Sequence, residues 1–207
     1  MIIFTAPFSA LKKLTRRYKS DHQGVAAIEF VFVAPVMIFM YFGLAEISSA
    51  IIADRQISHA TNVAGDLATQ VATINSTQMS EIMTATTLVM GIPSNKILDV
   101  KLEIASFSRN AAGDIIPLGK ATLGDPFTAA YNANDLDDLI LGQNSGVVVA
   151  RVEYDYEPLK LRYFDSNFTL SETFLLKPRT AANVVFDNGS GTTDYTCTSD
   201  GLKATCS

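Results

Sequence analysis

From Val25 to Ala45 the chain reads VAAIEFVFVAPVMIFMYFGLA, an unbroken apolar run whose single charged side chain is Glu29. As a helix, a run of that length rises about 31 Å, close to the hydrocarbon thickness of a bilayer. Five of the 16 basic residues (Lys12, Lys13, Arg16, Arg17, Lys19) precede Gly24, accompanied by one acid, Asp21. After the run only Arg55 carries a positive charge before Lys96. By the positive-inside rule the N-terminus then lies in the cytoplasm and the rest of the chain across the membrane. Two other readings compete: a cleaved export signal ending at Ser48-Ser49-Ala50, and a buried core helix. The run is longer than a usual signal core, and the remaining chain is short for enclosing such a helix.

Charge limits the partners. The 207 residues carry a formal net charge of −5. Without the leader, 11 basic residues face 20 acidic ones, so the body is more acidic than the whole. Such a body is unsuited to nucleic acid, whose phosphates need clustered Lys and Arg. The two cysteines, Cys197 and Cys206, are close together near the end. In a cytoplasmic protein they would be free thiols; in an exported one they would close a small disulfide loop. No histidine accompanies them and no Cys-x-x-Cys occurs, so no metal is expected there.

Glu29 is costly if it sits deep in lipid, which implies a position near the interface or a partner. The sequence Gly24-Val25-Ala26-Ala27-Ile28-Glu29-Phe30 resembles the processing site of type IV pilins. That resemblance implies cleavage after Gly24 by a prepilin peptidase. Val25 would become the first mature residue and Glu29 its fifth-position carboxylate, able to neutralise the ammonium of a neighbouring subunit. Phe30 fits the Flp/Tad branch, where an aromatic follows the glutamate. The competing reading is an uncleaved anchor whose Glu29 snorkels to the interface. Pro35 lies mid-span, where it can kink a helix. Glu46 marks the outer interface or a subunit contact.

Beyond the run, Ala60, Ala64, Leu67, Val71 and Ile74 recur at steps of four and three, the spacing of one helix face. The expectation is a helix of roughly 50 residues, half in lipid and half amphipathic. A second helix, about Thr77 to Met90, should end at Gly91 and Pro93. Leu98 to Ile104 alternates apolar with charged residues, as a half-buried strand does. Asn110 to Asp114 reads as a turn into a short strand at Ile115–Ile116. A glycine-bearing loop (Gly119, Gly124, Pro126) then leads to a brief helix near Asp135–Leu141. Ser145 to Tyr156 and Phe168 to Leu176 are further strands, the latter with Phe168, Leu170, Phe174 and Leu176 on one face. The expected fold is α+β: a long N-terminal transmembrane helix continuing into an exported, pilin-like domain with an antiparallel sheet of three or four strands. Its segments are a basic cytoplasmic leader (1–24), the membrane helix (25–53), the exported domain (54–182) and a loose polar tail carrying the cysteine pair (183–207).

These segments, in this order, resemble TadE-like proteins (TadE, TadF and TadG) of the tight-adherence pilus system. The basic leader, the Gly-x4-Glu-Phe start, the proline in the apolar helix and the polar continuation over Ile57 to Thr69 carry the likeness. So do Val152-Glu153-Tyr154-Asp155-Tyr156-Glu157-Pro158 and Lys177-Pro178-Arg179. Departures are the absence of tryptophan and of the Asp-x-Ser-x-Ser metal motif of the larger TadG-type relatives. The resemblance implies a minor pilin-like (pseudopilin) component that helps to build Flp adhesion pili from the inner membrane. Its partners would be a prepilin peptidase, inner-membrane platform proteins and other pilins, in a hetero-oligomer. An alternative is an uncleaved bitopic envelope protein, a sensor or scaffold, whose exported domain binds a partner.

Enzymatic chemistry has little to build on. His22 and His59 are the two histidines, and the membrane run would separate them. There is no Gly-x-Ser-x-Gly, phosphate-binding glycine loop or His-Glu-x-x-His. Asn132, Asn134, Asp135, Asp137 and Asp138 lack the alternation of a calcium loop and read as helix capping by Asn134 or Asp135. A non-enzymatic protein without cofactor or metal is expected; a tethered hydrolase would need a cleft holding His59 or a carboxylate pair. Asparagine sequons at Asn75, Asn167 and Asn188 carry no inference.

Overall fold

The computed structural model describes residues 23–91, 100–127, 129, 131–136, 138–158, 168–187, 189, 191, 193–200 and 202–207. The leader up to residue 22, His22 included, and Pro93, Leu98, Asp99, Asp137, Asn167 and Asn188 fall outside them. The chain divides into two compact units, Met1–Ser48 and Ser49–Ser207.

Helix α1 runs from Gln23 to Ala68 with Pro35 inside it. In the second unit its buried hydrophobic side chains are Ile57, Ala60, Ala64 and Ala68, all at spacings of three or four. Small side chains let this face approach the sheet closely. A Cβ placed on Gly65 would meet Leu176 Cδ1 at 2.4 Å and Ala150 Cβ at 3.3 Å. The helix stops before the end of the apolar series, because Thr73–Ile74 forms a strand, β1. The carbonyls left open at its end are met locally. Arg179 N donates to Thr69 O at 3.0 Å, the Thr180 hydroxyl donates to Gln70 O at 3.1 Å, and the Arg179 guanidinium pairs with the Asp66 carboxylate.

Helix α2, Ser76–Met90, begins with a capping box. Asn75 Oδ1 accepts from Gln78 N, and Gln78 Oε1 accepts from Asn75 N. Gly91 ends it in the left-handed conformation at φ 63°. Met79, Ile82, Met83 and Met90 face the core.

The strands are β2 (Val100–Arg109), β3 (Ile115–Leu123), β4 (Ser145–Tyr156), β5 (Phe168–Leu176), β6 (Val185–Phe186), β7 (Tyr195–Ser199) and β8 (Ala204–Cys206). Among the described residues one sheet has the order β5-β4-β2-β3-β7-β8, and a small parallel pair joins β1 to β6. The first four strands pair antiparallel, as their alternating patterns require. The sheet is nevertheless mixed, because β7 lies parallel to β3 with Ala121 opposite Tyr195. This corrects the expectation of a purely antiparallel sheet. It also corrects the loose tail: residues after 182 supply β6, β7 and β8, and Val184, Phe186, Tyr195, Cys197 and Ala204 are core residues. The reason is hydrogen bonding. The free edge of β3 needs a partner, and the tail's alternating Tyr195-Thr196-Cys197 provides one.

Strand β3 is also longer than the two residues expected. It keeps Pro117 and Gly119 because the register against β2 shifts between Ser106 and Phe107. Gly119 sits at φ 129°, with Phe186 Cβ 2.4 Å from where its own Cβ would be. The brief helix near Asp135–Leu141 is a single 3-10 turn, Ala133–Asp135. Its cap is Asn132, which accepts from Asn134 N at 3.2 Å, rather than Asn134 or Asp135.

Both helices cover one sheet face, where the main core forms. On the other face Leu136, Leu141 and Val147 make a small cluster with Phe107, Ile115 and Tyr131. That cover buries Glu103, whose Oε1 accepts from Arg151 Nη1 at 3.3 Å. The Arg151 guanidinium lies 4.3 Å from the Phe127 ring centroid.

Candidate membrane and processing segment

Unit one holds the apolar run, helical from Gln23 onward. Its large side chains point outward: Phe30 is 70% exposed, Phe32 73% and Tyr41 70%. Exposed apolar surface on this scale is not sustained in water and marks contact with lipid or with other apolar helices. Among the described residues, this helix is the one long and apolar enough to cross a membrane.

Gly24 and Val25 lie in the first turn. Nothing stands within 4 Å of where a Gly24 Cβ would be, so packing does not demand a glycine there. Val25 and Glu29 are four residues apart and therefore share a face, one turn from each other. Both are exposed, as is Phe30. Further out, Glu46 is buried, and its Oε1 has no hydrogen-bond partner among the described residues.

Several residues singled out in the sequence turn out to pack or cap. Val152, Tyr154 and Tyr156 are buried on one face of β4. The Tyr154 and Tyr156 rings meet edge-on at 6.4 Å, and Tyr156 meets Phe168 at 5.1 Å. Arg179 closes the end of α1, as described above. His59 is exposed on α1. No group of three or more His, Cys, Asp or Glu side chains among the described residues could hold a metal ion.

Cys197 and Cys206 are bonded to each other across the β7–β8 hairpin, with Cα atoms 4.0 Å apart. Sequence reasoning missed the hairpin itself. Its signal was Asp200-Gly201 between two alternating Thr/Cys stretches, a recognised turn dipeptide. In the structure Asp200 Oδ1 accepts from Leu202 N at 2.9 Å and from Lys203 N at 2.7 Å. The Lys203 bond first, then the Leu202 bond, hold the Asp200 carboxyl below its ordinary value. Tyr195, on β7, goes the other way. Burial, and then the Asp187 carboxylate, raise its hydroxyl above the ordinary value. It stays protonated and donates to Ile74 O at 3.2 Å.

An apolar N-terminal helix followed by a mixed-sheet α+β domain defines a class of candidate single-pass membrane proteins. Within that class, the family model described as TadE-like protein matches residues 24–66, from Gly24 nearly to the end of α1. The match bears out the resemblance over residues 24–66, the segment that carries most of it. No curated protein and no solved structure matches the chain.

Proposed function

We propose that this chain is a non-enzymatic, minor pilin-like subunit used in assembling Flp/Tad pili. It is made with a cytoplasmic leader, inserted once in the inner membrane, and cut after Gly24 by a prepilin peptidase. Its sheet domain lies outside the cytoplasm. The observation that carries this reading is the Gly24–Glu29 start of an outward-facing apolar helix within the matched segment. No packing contact here selects a glycine over alanine. Recognition and unwinding of the Gly24–Val25 bond by a peptidase supply a reason for it. After cleavage, the Val25 ammonium of one subunit is neutralised in lipid by Glu29 of its neighbour, which draws helices of this and other pilins together at the platform.

N-terminal sequencing of the protein extracted from membranes tests the proposal. With an active peptidase the mature chain should begin at Val25; without the peptidase it should retain its leader. A leader retained in the presence of active peptidase refutes processing.

A further inference from the structure

Strand β8 is three residues long, yet two of its amides are bonded to a helix. In the β7–β8 hairpin Thr196 and Ser207 exchange hydrogen bonds, so the Cys197–Cys206 and Ser199–Ala204 pairs turn their amides outward. Cys206 N donates to Ser80 Oγ at 2.9 Å and Ala204 N to Thr84 Oγ1 at 2.8 Å. The fit is metrical: two residues of strand advance about 6.8 Å and four residues of helix about 6 Å. The edge of the sheet is thus covered by hydroxyls of α2.

The disulfide spans the same place. Cys197 is buried at 2% exposure, whereas Cys206 is half-buried and lines a cleft of about 640 Å³. That cleft runs between α2 and the hairpin, past Ser76, Ser80, Thr84, Leu88 and Leu202. Of the two half-cystines Cys206 is thus the more exposed, with part of its surface packed against the main core.

We propose that Cys206 Sγ is a thiol–disulfide exchange site for a dithiol protein, and that its bond to Cys197 latches β8 onto α2. The partner's first thiolate attacks Cys206 Sγ and forms a mixed disulfide as the Cys197–Cys206 bond breaks. The electron pair leaves on Cys197 Sγ, which takes up a proton. The partner's second thiolate then attacks its own first sulfur, freeing Cys206 as a thiol. The partner ends as a disulfide and the chain as two thiols, two electrons and two protons richer; the reverse sequence closes the latch. Release is confined to β8. Strand β7 keeps its backbone pairing with β3, Cys197 opposite Leu123 included, and the Tyr195 bond to Ile74 O. Ala204 is the one fully buried side chain of β8. The proposal does not depend on the pilus reading.

The test uses the full chain in detergent. Glutathione is added first and the mixed disulfide mapped by peptide mass; it should sit on Cys206, and a mixed disulfide on Cys197 overturns the proposal. Dithiothreitol then reduces the bond, and amide hydrogen exchange is compared. Ala204 and Cys206 should exchange about tenfold faster or more, with Tyr195 and Val149 unchanged. Unchanged protection in β8, or loss of protection throughout the sheet, overturns the latch. The C197S/C206S variant should show the open pattern without any reductant.

Discussion

Arg151 is held between a carboxylate and two aromatic rings on the less covered face of the sheet. Its partner Glu103 has 7% side-chain exposure. Arg151→Met would leave that carboxylate buried and uncompensated, a loss of roughly 3 kcal/mol. Adding Glu103→Leu should restore most of it, which a double-mutant cycle in urea would measure. Gly119 is constrained differently. Its positive φ and the contacts with Phe186 and the Thr193 carbonyl oxygen leave no space for a methyl group. Gly119→Ala should cost roughly 2–4 kcal/mol by thermal or urea unfolding. If Glu29 pairs helices as proposed above, Glu29→Gln should leave the fold intact and remove that charge. Losing even about 1.4 kcal/mol at each contact lowers occupancy about tenfold, so surface pili counted by microscopy should fall by at least that much.

At the scale of elements, the hairpin and α2 form a joined unit. Ser80→Ala with Thr84→Val would strip acceptors from two amides, at roughly 1–3 kcal/mol each. The measurement is the exchange rate at Ala204 and Cys206. Asp200 adds a pH dependence to the same hairpin. Because its folded pKa is lowered, its stabilisation is present above the ordinary carboxylate range and is lost as pH falls through the depressed value. Protection of the Leu202 and Lys203 amides should therefore fall below about pH 4, and D200N should abolish that dependence.

How far the elements could be read from sequence follows from where their information lies. The α1 face at Ala60 and Ala64, the capped α2 and the strands β2, β4 and β5 announce themselves through local periodicity. The segment with Gly24, Val25, Glu29 and Phe30 was visible for the same reason: its spacing is local. Strand β3 was obscured by Pro117 and Gly119, residues that disfavour strands unless a bulge admits them. The tail was obscured by its polar Thr, Asn and Ser content. Its pairing with β3 is a long-range contact between residue 121 and residue 195, which no window along the chain contains. The buried Glu103–Arg151 pair likewise depends on two strands meeting.

For the whole molecule, the outward-facing side chains of unit one require an apolar surrounding. The full chain should sediment with membranes, resist an alkaline carbonate wash and be released by detergent, as followed by immunoblot. Recovery of the unprocessed chain from the soluble cytoplasm would contradict the anchor.

The parallel pairing of β7 with β3 has a consequence for how the chain is delivered. A late strand is inserted beside one made some seventy residues earlier. The growing domain has β3 unsheltered until β7, Tyr195–Ser199, has been made and can dock. Chains stopped short of Tyr195 should consequently be degraded far sooner than chains that include β7 and β8, as pulse-chase labelling would show.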